Sequence, residues 1–279
     1  MPKQWRFQHG CRYGRRPAPV VEASKEARVN QPVIFIDDGG VMNDNRLRVE
    51  QWQRMVGEFF APILGGSTTA WAEANRVVMD GIQEPTAWQA RLQTAPNYQT
   101  FDRGYLLDWL QRMCAIVGVT PPPDAESVEL ARRASASIVR RVHSAFPGAV
   151  EAIRTLHARG FTLHTASGES SRELAGYLEA MGVRDCFGRL FGPDLIDTHK
   201  AGPGFYTCLL ADAGVAPEAA LVVDDNPMVL RWATQVGAKT VLVGAAATDG
   251  FEPTLRIGSL AELPEQIRSG WRKMSGNTL

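Results

Sequence analysis

The sequence lacks an excess of charge of either sign: Lys and Arg total 30, and Asp and Glu total 30. That balance removes the electrostatic reason to expect nucleic acid or an anionic membrane as partner. Cysteine is scarce. Cys11, Cys114, Cys186 and Cys208 lie far apart and form no CxxC pair. This spacing argues against a disulfide framework or a zinc site, and a reducing, cytoplasmic setting is expected. No apolar run approaches the roughly 20 residues needed to span a bilayer, and no internal repeat is visible. The first twenty residues contain no acid, yet carry Lys3, Arg6, Arg12, Arg15 and Arg16. An organellar transit peptide has that character. The alternative is a disordered basic tail, because Pro, Gly and Arg dominate without periodicity. Residues 1–30 are read as such a tail.

What is present is a chain of 279 residues, 44% of them hydrophobic, enough for one large domain or a core with a smaller partner. PVIFID (Pro32 to Asp37) is a short β-branched run bounded by Pro and by Asp-Asp-Gly-Gly, the mark of a buried parallel strand. From about Arg46 to His143 apolar residues recur at three- and four-residue spacing, which predicts an all-helical insert. Asp102, Asp124 and Thr86 are expected near helix starts. After Pro147, helices alternate with the strands FTLHT, RLFG, ALVVDD and KTVLVG. That alternation implies βαβ units and a doubly wound parallel sheet with right-handed crossovers. The loops at the carboxyl ends of such strands converge on one crevice. Asp37, Thr165, Lys200 and the pair Asp224-Asp225 all fall on those loops. A carboxylate nucleophile, a hydroxyl, a cation and two further acids suit attack on a negatively charged electrophile.

The order strand–Asp37, strand–Thr165, Lys200, strand–Asp224-Asp225 resembles the four motifs of the haloacid dehalogenase-like (HAD) superfamily of hydrolases, over roughly residues 32–262. The helical insert matches that family's cap. The resemblance implies an α/β core at 31–44 and 145–265 and a helical cap at 45–144. It implies Asp37 as nucleophile, forming a covalent aspartyl intermediate. Thr165 with the Ala166 amide, together with Gly39, Gly40 and Lys200, would bind a small anionic substrate. Mg²⁺ would be held by Asp37, Asp224, Asp225 and the Gly39 carbonyl, a ligand set of oxygens that suits this ion. Asp44 matches an aspartate common at the start of the cap linker.

One departure stands out. Phosphatases of the family carry a second aspartate two residues after the nucleophile, and this chain has Gly39 there. Asp38 cannot substitute, since adjacent side chains point apart. A positioned general acid or base is worth about 10²–10⁴-fold. The expected substrate is therefore phosphorylated or phosphonate-like, with a leaving group that departs without a strong acid. Two alternatives remain open. One is a metal-free 2-haloacid dehalogenase-like hydrolase, which Asn226 resembles. The other is a catalytically degenerate HAD fold that only binds. A phosphonatase-type Schiff base is disfavoured, because positions 41–150 contain no lysine. Asn43, Asp44 or a cap residue is left as a candidate proton relay. His164 and His199 read as structural, Trp52, Trp71, Trp88 and Trp109 as cap core, and the cap arginines as a mostly solvated face. Oligomeric state is left open.

Overall fold

The structure, a computed structural model, describes residues 31–267. The basic tail and Cys11 lie outside these residues. Six strands form one parallel sheet in the order β3-β2-β1-β4-β5-β6. They are β1 (Val33–Ile36), β2 (Leu163–Ala166), β3 (Phe187–Phe191), β4 (Ala220–Asp224), β5 (Lys239–Val243) and β6 (Leu255–Ile257). This is the doubly wound order, and its switch point lies between β1 and β4. β6 is a three-residue edge strand that the sequence pattern did not announce.

Five helices come directly after β1: α1 (Asn45–Leu64), α2 (Thr68–Ile82), α3 (Pro85–Thr94), α4 (Tyr98–Val117) and α5 (Asp124–Val139). Four helices of two turns or more follow among the described residues: α6 (Ala149–Ala158), α7 (Ser171–Ala180), α9 (Pro203–Ala213) and α10 (Pro227–Gln235), with the single-turn α8 (Pro193–Ile196) between α7 and α9. Alternate residues of each strand face opposite sides. Ile34, Ile36, Leu163 and Val223 pack with α6 and α7. Phe35, Ala166 and Val222 pack with α9 and α10. Each face of the sheet is thereby removed from water, as parallel sheets require.

The helical insert has its own apolar cluster, including Phe60, Trp71, Trp109, Met113 and Ile138. The tryptophans belong to this core. Trp71 donates to the Gly65 carbonyl at 2.7 Å, and Trp109 to Asn75 Oδ1 at 2.9 Å. Trp88 packs edge-on against Phe101. Asp44, Ser67 and Asn97 cap α1, α2 and α4 by accepting from backbone N–H groups. Asp102 does not start a helix as expected. It lies inside α4 and pairs with Arg132 at 2.8 Å. Asp124 opens α5, while Thr86 is second in α3, behind a Glu84 cap.

Cys114 and Cys186 are free thiols. Among the described residues no helix is long and apolar enough to cross a membrane.

His164 sits in β2 with Nδ1 accepting from the Arg189 N–H at 2.9 Å, beside Phe35 and Phe191. Burial, reinforced by the Arg189 charge, lowers its pKa from 6.5 to about 4. Between those values the unfolded chain binds more protons than the folded one. Stability from this group is therefore full above about 6.5 and is lost as pH falls toward about 4. The loss should be about 3 kcal/mol. Urea unfolding near neutral pH and near pH 4 checks this. Wild type should lose more than His164→Gln; equal losses would remove His164 from the acid response.

Candidate active site

Asp37 is the first residue past β1, and its N–H donates to the Val223 carbonyl of β4 at 2.9 Å. That bond places it beside the end of β4, where Asp224 and Asp225 stand. Lys200, on the loop before α9, reaches both sides. Its Nζ is 2.8 Å from Asp37 Oδ1 and 2.7 Å from Asp224 Oδ2. The other Asp224 oxygen accepts from the Asn226 N–H at 2.8 Å. One oxygen from each of Asp37, Asp224 and Asp225 lies within 4.8 Å of the others. Burial opposes the Lys200 charge, but Asp224 and Asp37 outweigh it and hold the ammonium above the usual lysine range. Burial raises Asp224 to about 7 despite Lys200, and burial with the Asp37 charge raises Asp225. These groups open onto a cavity of about 220 Å³.

The turn after Asp37 is built around a buried ion pair. Asp38 is fully buried and contributes no side chain to the cavity lining. Its Oδ2 accepts from Arg48 Nη2 of α1 at 2.5 Å, and its Oδ1 from Asn43 Nδ2 at 2.7 Å. Ser144 in turn donates to Asn43 Oδ1. Asn43 and Asp44 are thus committed to holding the turn and capping α1, and neither lines the cavity. Gly40 has φ +83°, and a Cβ there would lie 2.1 Å from Asp225 Oδ2. It therefore supports the acid rather than the cavity wall. Arg48 also lies over the Tyr177 ring, 4.3 Å from its centroid. Trp52 donates to the Tyr177 hydroxyl at 2.7 Å. Arg48 is the cap arginine that turns inward, which helical periodicity alone could not select.

Gly39 lines the cavity, and the side chain of Asn45 fills the space a larger residue would take. A Cβ at position 39 would lie 2.6 Å from Asn45 Oδ1. Asn45 is exposed, so Gly39→Asp should push the end of its side chain aside at a small cost, about 0.5–1 kcal/mol. The double variant Gly39→Asp/Asn45→Ala should recover most of that loss. Thermal unfolding of the two checks it; equal melting temperatures would contradict the clash.

Thr165 corrects an expectation. It is fully buried, and its hydroxyl donates to the Phe191 carbonyl at 3.2 Å rather than into the cavity. The Ala166 side chain lies in the core below α9 and α10. Ser167 and Glu169 line the cavity instead. Nor does Thr165 or Ser167 cap the following helix. Ser170 does, in a capping box with Glu173. His199 packs edge-on against Phe101 of α4, 4.5 Å between ring centroids.

The family model of the haloacid dehalogenase-like hydrolases matches residues 33–237. The chain belongs to this hydrolase family. It is similar to a phosphoglycolate phosphatase of Rhodospirillum rubrum, 29% identical over 118 residues. That match covers 42% of this chain and 48% of the relative, so the chain spans about half the relative's length. Among solved structures, an L-2-haloacid dehalogenase from Xanthobacter autotrophicus aligns with TM-score 0.57 at 15% identity, covering 86% of this chain and 99% of that one. A 2-haloacid dehalogenase from Pseudomonas syringae pv. Tomato aligns with TM-score 0.57 at 19% identity over the same shares. CbbY from Rhodobacter sphaeroides, in complex with phosphate, aligns with TM-score 0.51 at 18% identity, covering 84% of this chain and 96% of that one. These structures support the fold: a HAD-like α/β core with a helical insert.

Proposed function

We propose that this hydrolase cleaves a small phosphorylated or phosphonate-like substrate through a covalent intermediate on Asp37, with the segment 45–144 acting as a cap over the core at 31–44 and 145–265. The charge of the cavity carries the reading. Its lining has four carboxylates, Asp37, Asp224, Asp225 and Glu169, and two cations, Arg48 and Lys200. Both cations are already paired with acids. An anionic substrate would meet net repulsion there unless a divalent ion joins it. The oxygen donors suit Mg²⁺. Asp224 has one oxygen on Lys200 and the other on the Asn226 N–H. Asp37 and Asp225 are therefore the preferred holders, with the Gly39 carbonyl in reach of the same cavity and Asp224 as the lysine anchor. A bound Mg²⁺ would neutralise substrate oxygens as charge builds on them.

The residues divide the remaining work. Lys200 aims the Asp37 carboxylate through its 2.8 Å contact. Asp37 attacks phosphorus in line, and the leaving group departs toward the cap side, where Arg48 and Glu169 form the wall. Water then attacks the acyl phosphate and frees Asp37. No carboxylate stands at position 39, so with Asp37, Lys200 and the acid pair alone an acyl phosphate or another group that leaves without a proton is the substrate of choice. Acetyl phosphate hydrolysis should require Mg²⁺ and stop with EDTA. Halide release from 2-chloropropionate that persists in EDTA would instead select a metal-free dehalogenase.

A further inference from the structure

Glu169 is the carboxylate in the cavity lining that stands apart from the Asp37–Asp224–Asp225 group. It comes from the loop between β2 and α7, two residues past Ser167. Its side chain is 43% exposed, and Oε1 lies 3.4 Å from Arg48 Nη1. That contact is long, so the carboxyl is oriented without being locked. Arg48 is held tightly by Asp38 through its other nitrogen. Asp38 directly follows the nucleophile, so Arg48 ties the Glu169 loop to the turn that carries Asp37. The groups that act on Glu169 come from several elements: Arg48 from α1, Asp37 and Asp38 from the turn after β1, Glu173 and Tyr177 from α7, and Tyr105 from α4. Although 43% of its side-chain surface is exposed, protein surrounds the carboxyl on several sides, and that enclosure, then repulsion from Glu173, raises its pKa against the pull of Arg48. A carboxyl open to the cavity and held beside one arginine can exchange a proton with a bound substrate or water.

We infer that Glu169 is the proton donor and acceptor of this site, entering from the β2–α7 loop in place of the carboxylate that Gly39 lacks. The inference rests on Asp37 being the nucleophile. As the Asp37 oxygen bonds to phosphorus and the phosphorus–oxygen bond to the leaving group breaks, the Glu169 carboxyl gives its proton to the departing oxygen. The resulting carboxylate then takes a proton from water. The hydroxide so formed bonds to phosphorus, the Asp37–phosphorus bond breaks, and phosphate leaves with Asp37 and Glu169 restored. Poor leaving groups become accessible by this route.

The test compares two probes in the full chain with Mg²⁺: ethyl phosphate, whose alkoxide needs a proton, and acetyl phosphate, whose carboxylate does not. For Glu169→Gln, first-turnover release of ethanol from ethyl phosphate should fall on the order of 10²-fold, and first-turnover release of acetate from acetyl phosphate should change little, while steady turnover of both slows because hydrolysis of the Asp37 intermediate loses its base. The pH profile of ethanol release should lose its alkaline limb, and Glu169→Asp should restore part of the rate. Retained first-turnover acetate release shows that the variant is folded. Equal losses of first-turnover release on both probes, or no loss on either, would overturn the inference. Asp37→Asn is run alongside. Loss of both probes there upholds the nucleophile whatever Glu169 does. Retention of both overturns the nucleophile and this inference with it.

Discussion

Asp37→Asn is expected to abolish turnover, by on the order of 10⁴-fold or more, while leaving the fold intact. The two side chains are nearly equal in size, so the packing around position 37 is preserved. What disappears is the anion. An amide oxygen is a poor nucleophile, and an acyl phosphate cannot form on it in the same way. The structure adds a second consequence. Lys200 bonds to Asp37 Oδ1 and to Asp224 Oδ2, and only the Asp224 charge remains in the variant. Divalent-ion affinity should fall with activity, since one of the preferred ligands becomes neutral. Calorimetric titration with Mg²⁺ and a turnover assay check both. A variant that turns over at the wild-type rate would remove Asp37 from the chemistry, and unchanged Mg²⁺ affinity would remove it from the ion site.

Lys200→Met is expected to damage stability and activity together. Its ammonium lies between two buried carboxylates, and its side chain is 9% exposed. Deleting one partner of a buried pair leaves uncompensated charge and costs about 3–5 kcal/mol. The protein has one way to relieve this: Asp224, already raised to about 7, takes up a proton. The sign follows from linkage. A carboxylate whose folded pKa exceeds its unfolded value of 3.8 folds best protonated, and stability falls as pH rises through that interval. The loss of Lys200 pushes the folded value higher still. The variant should therefore lose most stability at mildly alkaline pH and regain part of it on acidification, measured without divalent ions. Thermal unfolding across that range checks it, and a pH-independent loss would mean that Asp224 does not take up the charge.

Much of the architecture was legible before any coordinates. Strands β1, β4 and β5 read as short β-branched runs, and the longer helices as three- and four-residue stripes. The rule that loops at the carboxyl ends of a parallel sheet meet then gathers Asp37, Lys200, Asp224 and Asp225. The structure places them so, with Ile36 of β1 beside Thr165 of β2 and Val223 of β4. What failed was parity and pairing. Thr165 is the polar residue nearest the strand end, but the cavity begins two residues later at Ser167. Period-two alternation fixes a face only once the last paired residue is known. Asn45 occupying the space beside Gly39 left no trace in the sequence, because position 45 reads only as the start of a helix.

The sequence by itself determined the class of fold, the helical insert after the first strand, and the acids and lysine that could meet at the switch point. Those follow from local periodicity and one topological rule, both carried by neighbouring residues. Tertiary structure alone decided that Arg48 turns inward onto Asp38, that Thr165 is spent on a backbone carbonyl, and that Glu169 reaches the cavity. These depend on contacts between segments up to 121 residues apart. A long-range pairing of charges is set by where two independent elements come to rest, and no spacing within either element encodes it.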